Sequence, residues 1–319
     1  MRSIDRNPYS TQFDGTDPGQ AYHVKRGRWW NLSPQGASNQ SFAERMAELM
    51  VFSTRVSSVI PALCLLFIAS ASTQADSILV NAKSGQKKVA VLELYTSEGC
   101  SSCPPADQFV SRVGASGWYP RQVIPLSFHV PYWDYIGWHD SYAQDEFEKR
   151  QRDIAARQRS KSVYTPQLVL DGRDVRGVGR FGSQVQKINQ RPPEASIRFQ
   201  VRAVDGGTVN LDLDVVVEDA TQRQNSAVYI ALFENGLSSQ VSAGENSGKT
   251  LMHDFVVRKF IGPLELAANK TDSHHDLSID VPKSVNLGKA GIAAFVQNTS
   301  DGSVLQALST RLVNSSAMP

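Results

Sequence analysis

The sequence predicts an α/β domain followed by an all-β, sandwich-like domain, and three observations carry that prediction. A short apolar run leads into a loop, Cys100-Ser101-Ser102-Cys103, and then directly into a helix opened by Pro104-Pro105. Strand-like and helix-like segments alternate from there to about residue 189. Past Arg191-Pro192-Pro193 the pattern changes to short runs of period two broken by turns. A chain of 319 residues has room for such a pair of domains at roughly 100–200 residues each.

Composition removes several function classes. With 41% hydrophobic and 20% charged residues, the chain is neither mostly disordered nor collagen-like. A formal net charge of +2 is too near balance for a nucleic-acid or general polyanion binder. Three cysteines are too few for a small disulfide-stapled scaffold.

The N-terminal part reads as a targeting region. Residues 59–71, VIPALCLLFIASA, follow Arg55 and lead into small residues. About thirteen residues at 1.5 Å each cover roughly 20 Å, short of a hydrocarbon core of about 30 Å. A basic residue, a short apolar run and an A-x-A site make residues 46–75 a secretory signal peptide, with Met46 or Met50 as a start. Residues 1–45 are then a disordered leader or a mis-assigned start. The expected location is periplasmic or secreted, with no stable membrane insertion after cleavage. Cleavage removes Cys64 and leaves Cys100 and Cys103, in a compartment where disulfides persist.

The first domain is expected over residues 86–190. Residues 89–95, VAVLELY, form a buried strand. Ala106, Phe109, Val110 and Val113 have the i, i+3, i+4, i+7 spacing of an amphipathic helix started by proline and ended by Gly114 and Gly117. Residues 123–128 make a second strand, followed by the aromatic loop HVPYWDYIGWHD. The charged segment 144–159 buries Phe147, Ile154 and Ala155, and its basic residues, Arg150 among them, are expected on a solvated face. Strands at 167–170 and 175–178 flank the Asp171-Gly172 turn, and residues 181–189 form a closing helix. Residues 76–88 read as a polar lead-in. The second domain, residues 195–314, collects β-like runs at 197–201, 211–215, 227–233, 276–281, 292–296 and 304–308.

The order strand, CxxC, helix, strand, helix, proline-led hairpin, helix is the thioredoxin pattern, so the predicted class is an α/β thioredoxin-like domain followed by a C-terminal sandwich. Its chemistry follows from position. A cysteine at a helix N-terminus faces unpaired N–H groups and the positive end of the dipole, which favour thiolate. Cys100 is the expected exposed nucleophile and Cys103 the resolving thiol, in a mixed-disulfide exchange that needs no dissociable cofactor. Thr165-Pro166, His129 and Trp133 are expected on the same sheet edge, where they would position a substrate. His129 is the best candidate to tune Cys100. The substrates would be cysteine-containing exported proteins.

Three strings, ELYTSEGCSSCPPAD, FHVPYWDYIGW and VYTPQLVLDG, together with GENSGKTLMHDFVVR at 244–258, resemble a family of secreted bacterial proteins catalogued as domain of unknown function 1223. The resemblance runs from about residue 88 to the C-terminus. It implies a thioredoxin-like fold and no established reaction. One departure from well-studied thioredoxins is Leu94, at a position where they carry a buried acid. Glu93 beside it is expected on the opposite strand face.

Two other readings stand beside redox exchange. In one, the pair closes a purely structural disulfide in a non-catalytic binding or scaffold protein. In the other, it holds copper or zinc together with His129, although the sequence completes no metal-ligand set. The rings of Tyr132, Trp133, Tyr135 and Trp138 either pack over the sheet or form a groove for a partner chain. His253 and the His274-His275 pair are expected to be structural or at the surface. Glu245 and Asn246 mark a specific loop.

Overall fold

The computed structural model of the chain describes residues 78–202 and 207–312. The leader expected at 1–45 and the signal peptide at 46–75 lie outside the described residues, as do residues 313 and 314 of the second expected domain. No helix among the described residues is long and apolar enough to cross a membrane.

In chain order the strands are β1 (Ile78–Lys83), β2 (Ala90–Thr96), β3 (Val123–His129), β4 (Gln167–Leu170), β5 (Arg173–Val175), β6 (Ser196–Arg202), β7 (Thr208–Val216), β8 (Ser226–Glu234), β9 (Leu237–Gln240), β10 (Thr250–His253), β11 (Val256–Glu265), β12 (Asp272–Asp280), β13 (Ala290–Asn298) and β14 (Val304–Arg311). The helices are α1 (Pro104–Ala115), α2 (Asp145–Arg157), α3 (Phe181–Asn189) and the short α4 (Ala220–Gln224).

Eight strands form one mixed sheet in the order β14-β13-β8-β11-β3-β2-β4-β5. Strand β3 runs parallel to β2 on one side and to β11 on the other. A four-stranded antiparallel sheet, β1-β6-β7-β12, and a β9–β10 hairpin complete the set.

This corrects the expected fold class. There is no self-contained α/β thioredoxin-like domain followed by a separate all-β sandwich. Strands from both sides of residues 190–195 share one sheet, and strands dominate over helices. The joint is β11, which inserts beside β3 and brings β8, β13 and β14 with it. Strands β8 (SAVYIALFE) and β13 (AGIAAFVQN) are buried along almost their whole length, as strands covered on both faces must be. The polar lead-in expected before residue 89 is in part a strand, β1, paired to β6.

Two cores follow from the alternation along β8. Ala227, Tyr229, Ala231 and Phe233 face the helical side, where they join Phe109, Phe147, Phe181 and the β2–β3 side chains. Val228, Ile230 and Leu232 face the four-stranded sheet and meet Phe199, Leu211 and Leu213.

One buried ion pair sits at the joint. Arg150 of α2 was expected in solvent, yet it is 6% exposed and binds Glu93 of β2 through two of its three guanidinium nitrogens, Nε to Oε2 at 2.7 Å and Nη2 to Oε1 at 2.9 Å. Its guanidinium also lies 4.9 to 5.9 Å from the ring centres of Phe260, Tyr229, Phe295 and Phe128, which come from four strands. A planar cation that forks onto a carboxylate and stacks on rings suits such a place better than lysine.

Candidate functional site

Cys103 is the N-cap of α1, with Pro104 and Pro105 in the first turn, and Cys100 lies one turn before it. The two are joined as a disulfide with a Cα–Cα separation of 5.4 Å. Both cysteines are fully buried, at 0% exposure, while Ser101 and Ser102 between them are exposed. The expectation of a solvent-reachable Cys100 is therefore corrected.

A distant loop covers the cysteines. Glu245 accepts the Ser101 N–H at 2.9 Å and the Ser101 hydroxyl at 2.7 Å. Asn246, fully buried, donates to the carbonyls of Glu98 and Cys100 at 2.8 and 2.9 Å, and Lys249 Nζ steadies its amide oxygen at 2.9 Å. Ser101's two donors hold the Glu245 carboxyl below the usual range. The aromatic turn closes the other side. A Cβ at Gly99 would sit 3.2 Å from both Trp133 Cβ and Ile136 Cδ1, so glycine is what lets this turn approach the cysteine loop.

Trp133 links that loop to the expected substrate edge, because its Nε1–H donates to Thr165 Oγ1 at 2.7 Å. The Thr165–Pro166 bond is cis. Trp133 ring-stacks with Tyr135, which is 82% exposed. Trp133, Thr165 and the cysteine loop thus meet, whereas His129 belongs to a second, buried group.

His129 ends β3 and is 0% exposed, so no substrate touches it in this structure. Its Nδ1 lies 2.7 Å from Asp140 Oδ2, which also accepts the Glu98 N–H at 2.9 Å. Burial alone would raise the Asp140 carboxyl, but His129 and these donors hold it below its ordinary value. An ionised carboxylate only accepts, so His129 Nδ1–H is the donor of that bond. The His129 ring meets that of His253, the last residue of β10, at 4.9 Å.

His253 Nε2 is 3.2 Å from Glu98 Oε1, and its Nδ1 is 3.9 Å from Asp107 Oδ1, too far for a hydrogen bond. Burial disfavours the imidazolium, yet Asp107 and Glu98 outweigh it and push His253 up to about 10. Glu98 is raised by burial and lowered by His253 and Trp138, with a net fall. Asp107, on the first turns of α1, takes the Thr96 hydroxyl on its other oxygen at 3.2 Å.

Sequence reasoning found Cys100, Cys103, Trp133, Thr165 and Pro166 through their loops, and it marked Glu245 and Asn246 without a role. It gave no role to Glu98, Asp107 or Asp140, and it expected His253 to be structural or at the surface, where the structure buries it against His129 and Glu98. The one available signal was GENSGKTLMHDF, a polar string too specific for a plain hairpin.

The family described as "Protein of unknown function (DUF1223)" matches residues 91–297. The chain is similar to the crystal structure of protein AGR_C_4864 from Agrobacterium tumefaciens, at 26% identity and a TM-score of 0.51, over 74% of this chain and 99% of that one. It is also similar to HBP35 of Porphyromonas gingivalis, at 13% identity and a TM-score of 0.56, over 74% and 79% of the two chains; this likeness concerns the fold alone. No curated protein matches the sequence.

Proposed function

We propose, for a chain that belongs to the family of unknown function DUF1223, a non-catalytic binding role in which Cys100–Cys103 is a structural disulfide. The observation that carries this reading is the complete burial of both cysteines beneath Glu245, Asn246 and the Trp133–Ile136 turn. An incoming thiolate must reach a sulfur atom, and neither is accessible. The binding face is the exposed aromatic ledge of Tyr135 stacked on Trp133, beside Thr165 and Pro166. Its partner is an exported polypeptide, met in the periplasm or outside the cell; the signal-peptide reading of residues 46–75 and the closed disulfide support that compartment.

The test is native-state reduction. The folded mature chain is incubated with dithiothreitol and a thiol-alkylating reagent, and labelling is followed by mass. A structural disulfide resists labelling until the protein unfolds, and Cys100→Ser/Cys103→Ser retains partner binding. Rapid native reduction, with insulin reduction that is lost in Cys100→Ser, would overturn it.

That second outcome belongs to thiol–disulfide exchange with cysteine-containing exported proteins, a reading favoured by one feature: the cover on exposed Ser101 is a single exposed carboxylate. With the cover open, a partner thiolate attacks Cys100 Sγ, the Cys100–Cys103 bond breaks, and Cys103 leaves as thiolate. A second thiolate of the partner then attacks the partner's sulfur in the mixed disulfide, Cys100 leaves as thiolate, and the partner departs oxidised to a disulfide while Cys100 and Cys103 are left reduced.

A further inference from the structure

Beneath the disulfide loop, three elements deliver one side chain each to a common point. Asp107 comes from α1, His129 from the end of β3 and His253 from the end of β10; all three are buried, and one donor atom of each lies within 4.8 Å of the others. Each histidine also carries a buried nitrogen with no hydrogen-bond partner among the described residues, His129 Nε2 and His253 Nδ1, the latter 3.9 Å from Asp107 Oδ1. Orphaned polar atoms in residues only 0% and 2% exposed are costly, and two in histidines whose rings meet at 4.9 Å call for an explanation.

The surroundings supply one. Each imidazole is held through its other nitrogen by a carboxylate, His129 by Asp140 and His253 by Glu98. A carboxylate behind the far nitrogen is what orients a histidine toward a metal and raises its basicity. Those carboxylates are themselves tied down, Asp140 by the Glu98 and Tyr142 N–H groups and Glu98 by Trp138 Nε1–H at 2.8 Å. The charge also points one way. Glu98, Asp107 and Asp140 are three carboxylates at 5% exposure or less, facing two imidazoles. Three buried carboxylates against one histidine cation leave negative charge over, and that excess requires a counter-charge.

We infer that Asp107, His129 and His253 form a divalent transition-metal site, with zinc the ion their donors suit. Two imidazoles and one carboxylate make a common zinc set that leaves a fourth position free. Bonds of about 2.0–2.2 Å require donor atoms roughly 3.3–3.5 Å apart, so the three side chains close inward by an ångström or so on binding. The site differs from a carrier built on the CxxC and His129, since sulfurs tied in a disulfide offer no thiolate.

The mature chain, disulfide intact and stripped with chelator, is titrated with Zn²⁺ by calorimetry and with Co²⁺ by visible absorption. The expected result is one equivalent bound, ligand-field bands for Co²⁺, and a metal-dependent rise in Tm. His253→Gln and Asp107→Asn abolish all three. Asp140→Asn, which touches no metal, weakens binding about 10–100-fold. The exposed His139→Ala and His274→Ala variants bind like wild type. Circular dichroism identifies any variant that fails to fold, and the remaining variants then decide. No binding by the folded wild type would mean a metal-free polar pocket and overturn the proposal. So would undiminished binding by folded His253→Gln, or binding that appears only after the disulfide is reduced.

Discussion

Glu245 Oε2 accepts both the backbone N–H and the hydroxyl of Ser101, joining residues 144 apart in sequence across the exposed bridge of the disulfide loop. If this contact is what keeps the loop shut, Glu245→Ala speeds native-state alkylation after reductant, by something on the order of tenfold for two charge-assisted bonds weakened by solvent. Glu245→Gln, which keeps an acceptor, changes it less. An unchanged rate in Glu245→Ala would assign the cover to Asn246 and the aromatic turn instead.

Arg150 and Glu93 form a buried pair whose members cannot be removed singly without loss. Arg150→Met leaves the Glu93 carboxylate inside the core and is expected to cost about 3–5 kcal/mol. The double variant Glu93→Leu/Arg150→Met recovers most of it. Urea midpoints of the three chains measure the difference, and a double variant no better than Arg150→Met would contradict this account.

Tyr95 gives an alkaline prediction. Its hydroxyl donates to Glu93 at 2.8 Å, and burial, then the Glu93 charge, lift its pKa well above 10.0. A tyrosine raised in the folded state contributes stability that is intact below the unfolded value, about 10, and is lost as pH climbs from there through the folded value. Tyr95→Phe is therefore less stable than wild type by about 1 kcal/mol at neutral pH. The gap narrows at about pH 11, as paired denaturant titrations can read.

Gly172 closes the Asp171-Gly172 turn at φ +79°, and a Cβ there would fall inside the Gly302 carbonyl. Gly172→Ala is expected to lose about 1–3 kcal/mol through the left-handed backbone and the forced shift of the neighbouring loop. Gly85→Ala, with open space around it, is the control. Thermal unfolding of the two variants makes the comparison.

The elements nearest the cysteines were legible because local chemistry defines them. Paired prolines started α1, and Asp171-Gly172 separated β4 from β5, although the second strand of that hairpin begins two residues earlier than its apolar run indicated. Helix α3 was bounded correctly. Strand β11 was missed, and with it the true architecture. Its Gly262-Pro263 pair reads as a strand terminator, yet it sits where the register with β8 shifts, a bulge that tolerates proline. The buried cluster beneath the disulfide loop was hidden for a different reason. Glu98, Asp107, His129, Asp140 and His253 share no spacing, since a sheet edge and a remote hairpin bring them together. Arg150 looked like one more charge on a charged helix, and nothing in α2 alone reveals four rings waiting for it.

The parallel seam between β3 and β11 has a practical consequence for anyone dissecting the chain. Scission at residues 190–195 yields halves with matching raw borders, β3 on one and β11 on the other, each a template for stray strands. Expressed alone, either half is expected to precipitate; produced together, they should reassemble as a split protein does.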